Sequence, residues 1–327
     1  MLAENPLMQL TIVYTTSRLH PKVRWFFDSL RKQIQRDDQI QVIIVDRLID
    51  QPGRRERFRQ IAGFDFVHTD VKPTVWQGAH RVTQQDWWAV SNARNTGICL
   101  CRTNWLCLMD DRCVLIPGFL DSIREAMAGS YGVAGAYEKR WNMKVINGTI
   151  EDWGKLDGSD PRSPGGKDHR ENMVDSKLVE CPGSWWFGAC TALPLEWALN
   201  INGYLELLDG TSHEDCFFGE MLKTQGYPLK YDSRMRIVED RTPGETGPDY
   251  PRTSKDRFHH DVTDRCHTAI KRFLHLPFAP NNFNIREVRD RMLRGEPWPM
   301  PPEKDYIDWF DGEPVKDFTW PYICKRP

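Results

Sequence analysis

Three short apolar runs, each ending on small polar or acidic residues, constrain this chain more than any other feature. Residues 9–15 (QLTIVYT) lead into Thr15, Thr16 and Ser17, residues 40–45 (IQVIIV) close on Asp46, and residues 103–109 (TNWLCLM) stop at Asp110-Asp111-Arg112. The first two runs are rich in β-branched residues, and 40–45 has the near-continuous hydrophobicity of a strand covered on both faces. A weaker run occupies 64–68. Between them, Trp25, Phe26, Ser29, Leu30 and Ile34 recur at helical intervals over 25–35, and 91–101 also reads as a helix. This alternation predicts an α/β domain with a mostly parallel central sheet flanked by helices and ligands at the carboxyl ends of the strands. Thr15, Thr16, Asp46, Asp110 and Asp111 then converge on one rim, where a nucleotide is expected.

Composition narrows the class. The 327 residues suffice for one large α/β domain plus an extension. A formal net charge of -2 argues against a surface built throughout for polyanions. No window holds 18 apolar residues, and the N-terminus lacks a basic stretch followed by an apolar run. The nine cysteines include no CxxC pair and lie partly inside apolar runs, which suits a reducing compartment. These features predict a soluble protein without a membrane span, in the cytoplasm of a cell or of a phage-infected host.

Further along, residues 140–175 turn to glycine, proline and charge, the pattern of a mobile loop or a disordered insertion. The stretch PGSWWFGACTALPLEW follows, with a glycine turn and a Pro-initiated helix. Over GTSHEDCFFGEMLKTQGY, a helix is expected to open at Ser212 or His213 and stop at Gly226, and a last strand spans 234–240. A helix is predicted over 285–293. Residues 1–245 thus read as the main domain and 246–327 as an extension without a core of its own, packed on that domain.

Four of these segments resemble, in order, the motifs of the family 2 glycosyltransferases of the GT-A type. LCLMDDRCVLIPGFL resembles their acidic motif, where an apolar strand meets an acidic triplet before a Pro-Gly-aromatic-Leu helix start. SNARNTGICLC resembles the helix upstream of it, IIVD ending in Asp46 is similar to the base-recognition strand, and GTSHEDCFFGEMLKTQGY resembles the downstream Glu-Asp helix. The resemblance spans roughly residues 9–240. It implies a GT-A fold, a nucleotide-sugar donor (a UDP-sugar first among them), Mn²⁺ or Mg²⁺, and inverting transfer of a hexosyl or pentosyl group to an acceptor hydroxyl.

Carried over residue by residue, the resemblance assigns Thr15, Thr16 and Asp46 to the nucleobase and ribose, Arg94 to the ribose-phosphate region and Asp110 to the ribose. Asp111 would bind the metal. Asp215, with Glu214 beside it, would be the general base, and Trp185, Trp186 and Gly188 would lie in the acceptor loop. The third acidic position holds Arg112, which cannot ligate a metal. A further ligand must then come from Glu239, Asp240, His213, His259 or His260, or Arg112 itself neutralises the diphosphate. Plainer readings exist: Asp110 as a helix cap, Glu214-Asp215 as a pair serving the helix dipole, and the tryptophans as core.

The acceptor is open between a glycan, a small molecule and a modified DNA base, the last suited to the locally basic stretch 250–273. Two other classes compete. A nucleotidyltransferase would carry a glycine-rich loop after the first strand, where this chain has TTSRLHPK. A non-catalytic nucleotide- or glycan-binding module would have little need of Asp215 opposite Asp111.

Overall fold

The computed structural model describes residues 8–80, 88–159, 164–209, 213–242 and 273–301. Its first half builds a parallel unit. β1 (Gln9–Thr16) pairs in parallel with β2 (Gln39–Asp46) on one side and with β4 (Trp105–Met109) on the other, while β3 (Val67–Thr69) flanks β2. Both faces of this unit are covered, which is why β1, β2 and β4 are nearly solid apolar runs. On one face lies α1 (Val23–Arg31), whose Val23, Phe26, Phe27 and Leu30 recur at i, i+3, i+4 and i+7 and are all buried. α2 (Arg54–Ala62) adds Phe58 and Ala62 to the same layer. α3 (Val90–Leu100) covers the other face and is enclosed so fully that nine of its eleven residues are buried.

The second half adds mixed strands. β5 (Cys113–Leu115) and α4 (Phe119–Gly129) lead into β6 (Gly132–Trp141). β10 (Leu178–Glu180) precedes β11 (Cys190–Pro194) and α5 (Leu195–Asn200), and α6 (Glu214–Thr224) precedes β12 (Leu229–Asp240). The sheet runs β10-β12-β6-β11-β4-β1-β2-β3. β6 and β12 are parallel to each other, and β11 is antiparallel to both β4 and β6. Six main strands therefore end on one rim and β11 begins there. A register shift in β12 between Asp232 and Arg236 lets β10 pair with its first half and β5 with its second. The result is a mixed α/β sheet, mostly parallel as expected.

One expectation is corrected. Residues 140–175 are not one structureless loop. They contain the hairpin β7 (Lys144–Ile146) and β8 (Thr149–Asp152), the short β9 (Lys155–Leu156) against β6, and a 3₁₀ turn at His169–Met173. Arg170 holds this turn in place: it is fully buried, bonded to Asp168 and to the Gly135 carbonyl, and stacked over Phe187 and Tyr231. The described part of the extension packs into the core of the sheet domain. Phe273, Ala279, Ile285 and Val288 join the cluster beneath α3, with α7 (Ile285–Leu293) capped by Asn284. Asn281 donates to the Asn202 and Tyr204 carbonyls, and Asn202 donates to those of Ala279 and Phe283, so two buried amides clasp the extension to the sheet domain. The expected boundary near residue 245 lies outside the described residues. Among the described residues, no helix is long and apolar enough to cross a membrane.

Candidate active site

Topology alone brings the acidic strand ends together. Thr16 and Asp46 are register partners at the ends of β1 and β2. Asp110 and Asp111 follow β4, one strand away. Because β11 runs the opposite way, its approach segment Gly188-Ala189 enters at this same rim, and the Asp110 N–H donates to the Ala189 carbonyl at 3.1 Å. The β5 pairing sets Glu239 opposite Cys113, two residues beyond Asp111.

Asp111 is held from both sides. Thr16 Oγ1 donates to its Oδ2 at 2.6 Å, and Arg18 Nε to its Oδ1 at 3.0 Å. Burial raises its carboxyl above the ordinary range against the pull of Arg18, and Glu239 adds to the rise. Asp110 is the accessible member, with 43% of its side chain exposed. Enclosure by protein on its other sides, together with Glu239, Asp111 and Asp215, lifts its pKa to about 7 despite Arg94.

Arg94, on α3, links the acidic strand end to α6. Its guanidinium is almost fully buried, donating to Glu214 at 2.7 Å and to Asp110 at 3.2 Å, and it lies 5.1 Å from the Tyr204 ring centroid. Burial works against its charge, but Tyr204, Glu214, Asp110 and Asp215 hold it protonated. Glu214 is raised by burial and by Asp215. Asp215, half-buried in the first turn of α6, accepts from the Gly188 N–H at 2.7 Å. Glycine at 188 is what lets this segment approach the guanidinium so closely, since a Cβ would stand 1.9 Å from Arg94 Nη2.

The other expected residues fall as follows. Thr15 is buried at the end of β1. Asp46 is fully buried with both oxygens engaged: Arg54 donates at 2.6 and 2.8 Å and His68 Nε2 lies at 2.9 Å. Burial alone would raise its carboxyl, but the bonds from His68 and Arg54 outweigh it and hold it low. Arg54 also donates to the Arg18 and Leu19 carbonyls, so Asp46 fixes the turn that carries Arg18. Trp185 is half-buried, its ring edge-on to Tyr231. Trp186 does not offer a face to an acceptor: it is fully buried, packed where Gly219 leaves room for its Cβ. Arg112 does not face the rim either. It turns inward with φ 60°, 1% exposed, paired with Asp240 at 3.5 Å and donating to the Thr242 carbonyl, so the idea that it neutralises a diphosphate is withdrawn. His213 is exposed before α6, and His259, His260 and all of 250–273 except Phe273 lie outside the described residues. Sequence reasoning missed Arg18, Arg54, His68 and Tyr204. Only Arg18 carried a signal, two residues past Thr16 in the first strand-end turn.

Asp110, Asp111 and Glu239 are hard oxygen donors whose charges oppose one another, and a divalent cation would relieve that opposition. Among the described residues, no group of three or more His, Cys, Asp or Glu is arranged to hold a metal unaided. The set therefore fits a cation shared with phosphate oxygens, which needs only one or two carboxylates.

By sequence, the chain matches no protein-family model and no curated protein. By structure, it is similar to a crystal structure of GalNAc-T7 with UDP, GalNAc and Mn²⁺, with a TM-score of 0.53 and 11% identity, over 74% of this chain and 45% of that one. It is also similar to TarS residues 1–349 from S. aureus (TM-score 0.48, 12% identity, 71% and 60% covered). A third match is the mannosyltransferase PcManGT from Pyrobaculum calidifontis in complex with GDP-Man and Mn²⁺ (TM-score 0.47, 13% identity, 72% and 58% covered). The match thus spans about half the length of these proteins. At such identity the likeness establishes the architecture, which is the GT-A fold.

Proposed function

We propose that this GT-A protein transfers a glycosyl group from a nucleoside-diphosphate sugar to an acceptor hydroxyl, with a divalent cation at the Asp110–Asp111 rim and Asp215 as general base. The observation that carries the reading is the Arg94 junction. One buried guanidinium binds Asp110 at the strand ends and Glu214 at the head of α6, and lies against the Gly188 whose N–H holds Asp215. An acidic rim thus stands opposite a carboxylate that can take a proton, on a fold shared with a protein solved with UDP, GalNAc and Mn²⁺.

Asp110 and Asp111, with Glu239 beside them, would hold the cation, which supplies neutralising charge to the diphosphate leaving group. The chain's own residues do the rest. Thr16 and Arg18 orient Asp111, and Asp46 acts through Arg54 by fixing the Arg18–Leu19 turn on the nucleotide side. Arg94 adds a fixed positive charge. The bond from the anomeric carbon to the phosphate oxygen breaks with its electrons passing to the diphosphate. A bond to the acceptor oxygen forms, and the acceptor proton moves to Asp215. Trp185, beside the Gly188 segment, borders the acceptor side.

The test is release of nucleoside diphosphate from UDP-, GDP- and TDP-sugars with Mn²⁺, with and without EDTA. Asp111→Asn should lose cation-dependent turnover, while Asp215→Asn should bind donor yet fail to transfer. Absence of both binding and hydrolysis with every donor would refute the proposal.

A further inference from the structure

Among the described residues, the Tyr204 hydroxyl beneath Arg94 has no hydrogen-bond partner. Tyr204 sits in the turn after α5, and its backbone is fixed twice over. Its N–H donates to Asn95 Oδ1 at 2.8 Å, and its carbonyl accepts from Asn95 Nδ2 at 2.9 Å and Asn281 Nδ2 at 2.8 Å. The ring lies flat on Phe218, centroids 4.1 Å apart at 9°, and under the Arg94 guanidinium. The residue is completely buried, yet among the described residues neither its hydroxyl nor Arg94 Nε has a hydrogen-bond partner. The charged groups that act on the hydroxyl are Arg94, Asp215, Glu214 and Asp110, all members of the candidate site.

A buried hydroxyl without a partner costs about 1–3 kcal/mol, and phenylalanine would make the same stack without that cost. Among the described elements, what lies within electrostatic reach of this hydroxyl is the acid pair at the head of α6, the arginine bonded to Glu214, and Asp110 on the far side of that arginine. We propose that Tyr204 is a positioning residue: its O–H donates to the Glu214–Asp215 pair in the working enzyme and keeps Asp215 aligned for proton transfer. It acts through those carboxylates, since its own oxygen is closed off from the cleft. The idea rests on the glycosyl-transfer reading above.

The experiment uses Tyr204→Phe in the full chain, with the UDP-, GDP- or TDP-sugar that wild type hydrolyses fastest in Mn²⁺. Removal of the hydroxyl alone should lower kcat about tenfold, leave the donor KM within about twofold, and leave the thermal midpoint unchanged or raised. Titration with the matching nucleoside diphosphate and Mn²⁺ should give wild-type affinity. Turnover within twofold of wild type would overturn the proposal, whatever the stability, and so would a loss confined to KM. If wild type itself binds and hydrolyses no donor, the glycosyl-transfer reading is what fails.

Discussion

Gly188→Ala tests the junction most directly, because one methyl group is set against one guanidinium. The added Cβ would lie 1.9 Å from Arg94 Nη2, 2.7 Å from Cζ and 3.0 Å from Nη1, well inside contact distance for all three atoms. Arg94 has little freedom to retreat. It is bonded to Glu214 at 2.7 Å and Asp110 at 3.2 Å, and Tyr204 lies beneath it. If the loop yields, the overpacking costs about 1–3 kcal/mol. If Arg94 is pushed off its carboxylates, breaking the buried pair costs about 3–5 kcal/mol. A value near 3 kcal/mol lowers the thermal midpoint by roughly 4–5 °C in a protein of 327 residues. Since Gly188 N–H also holds Asp215, donor turnover should fall by more than the unfolded fraction explains. Differential scanning calorimetry and nucleoside diphosphate release provide the two measurements, made in parallel on wild type, Gly188→Ala, Arg94→Ala and the double variant. The clash requires coupling, so Gly188→Ala should cost less than about 1 kcal/mol once Arg94 is absent. An equal cost in both backgrounds, or a Gly188→Ala protein with wild-type midpoint and turnover, would refute the reasoning.

Two further outcomes follow from the same geometry. Asp110 titrates near pH 7 in the folded protein and near 4 when unfolded, so the native state binds the proton more tightly and stability falls as pH rises between those values. Asp110→Asn should therefore gain on wild type in thermal midpoint from pH 4 to pH 8 without added cation, and a pH-independent difference would contradict the raised pKa. Asn281→Ala removes the donors to the Asn202 and Tyr204 carbonyls and the acceptor of the Glu206 N–H. It should cost about 2–4 kcal/mol by calorimetry and weaken nucleoside diphosphate binding, because the turn it releases carries Tyr204 under Arg94.

What the sequence made legible is what local pattern can encode. β1, β2 and β4 announce themselves because both faces are covered, leaving uninterrupted apolar runs that end where the sheet ends. The polar residues at those ends are conspicuous for the same reason. By contrast, β6 (GVAGAYEKRW) opens on small residues and ends on charged ones, β11 (CTALP) is short and built mostly of small residues, and α2 is polar except for Phe58, Ile61 and Ala62, so no strong pattern separates them from loop. Strand order is decided by long-range pairing, and the reversed β11 is the feature that delivers Gly188 to the rim. The same distinction divides the site. Asp110, Asp111, Glu214 and Asp215 stand out as pairs in sequence, but nothing local says that Arg112 turns inward to Asp240, or that Arg18 replaces it beside the acidic pair. Trp186 shows the limit most plainly: adjacent tryptophans look equivalent in sequence, and the close approach of Gly219 decides that one of them belongs to the core. Position along the chain nominated the acids, and the packing of α3 against α6 determined which side chains surround them.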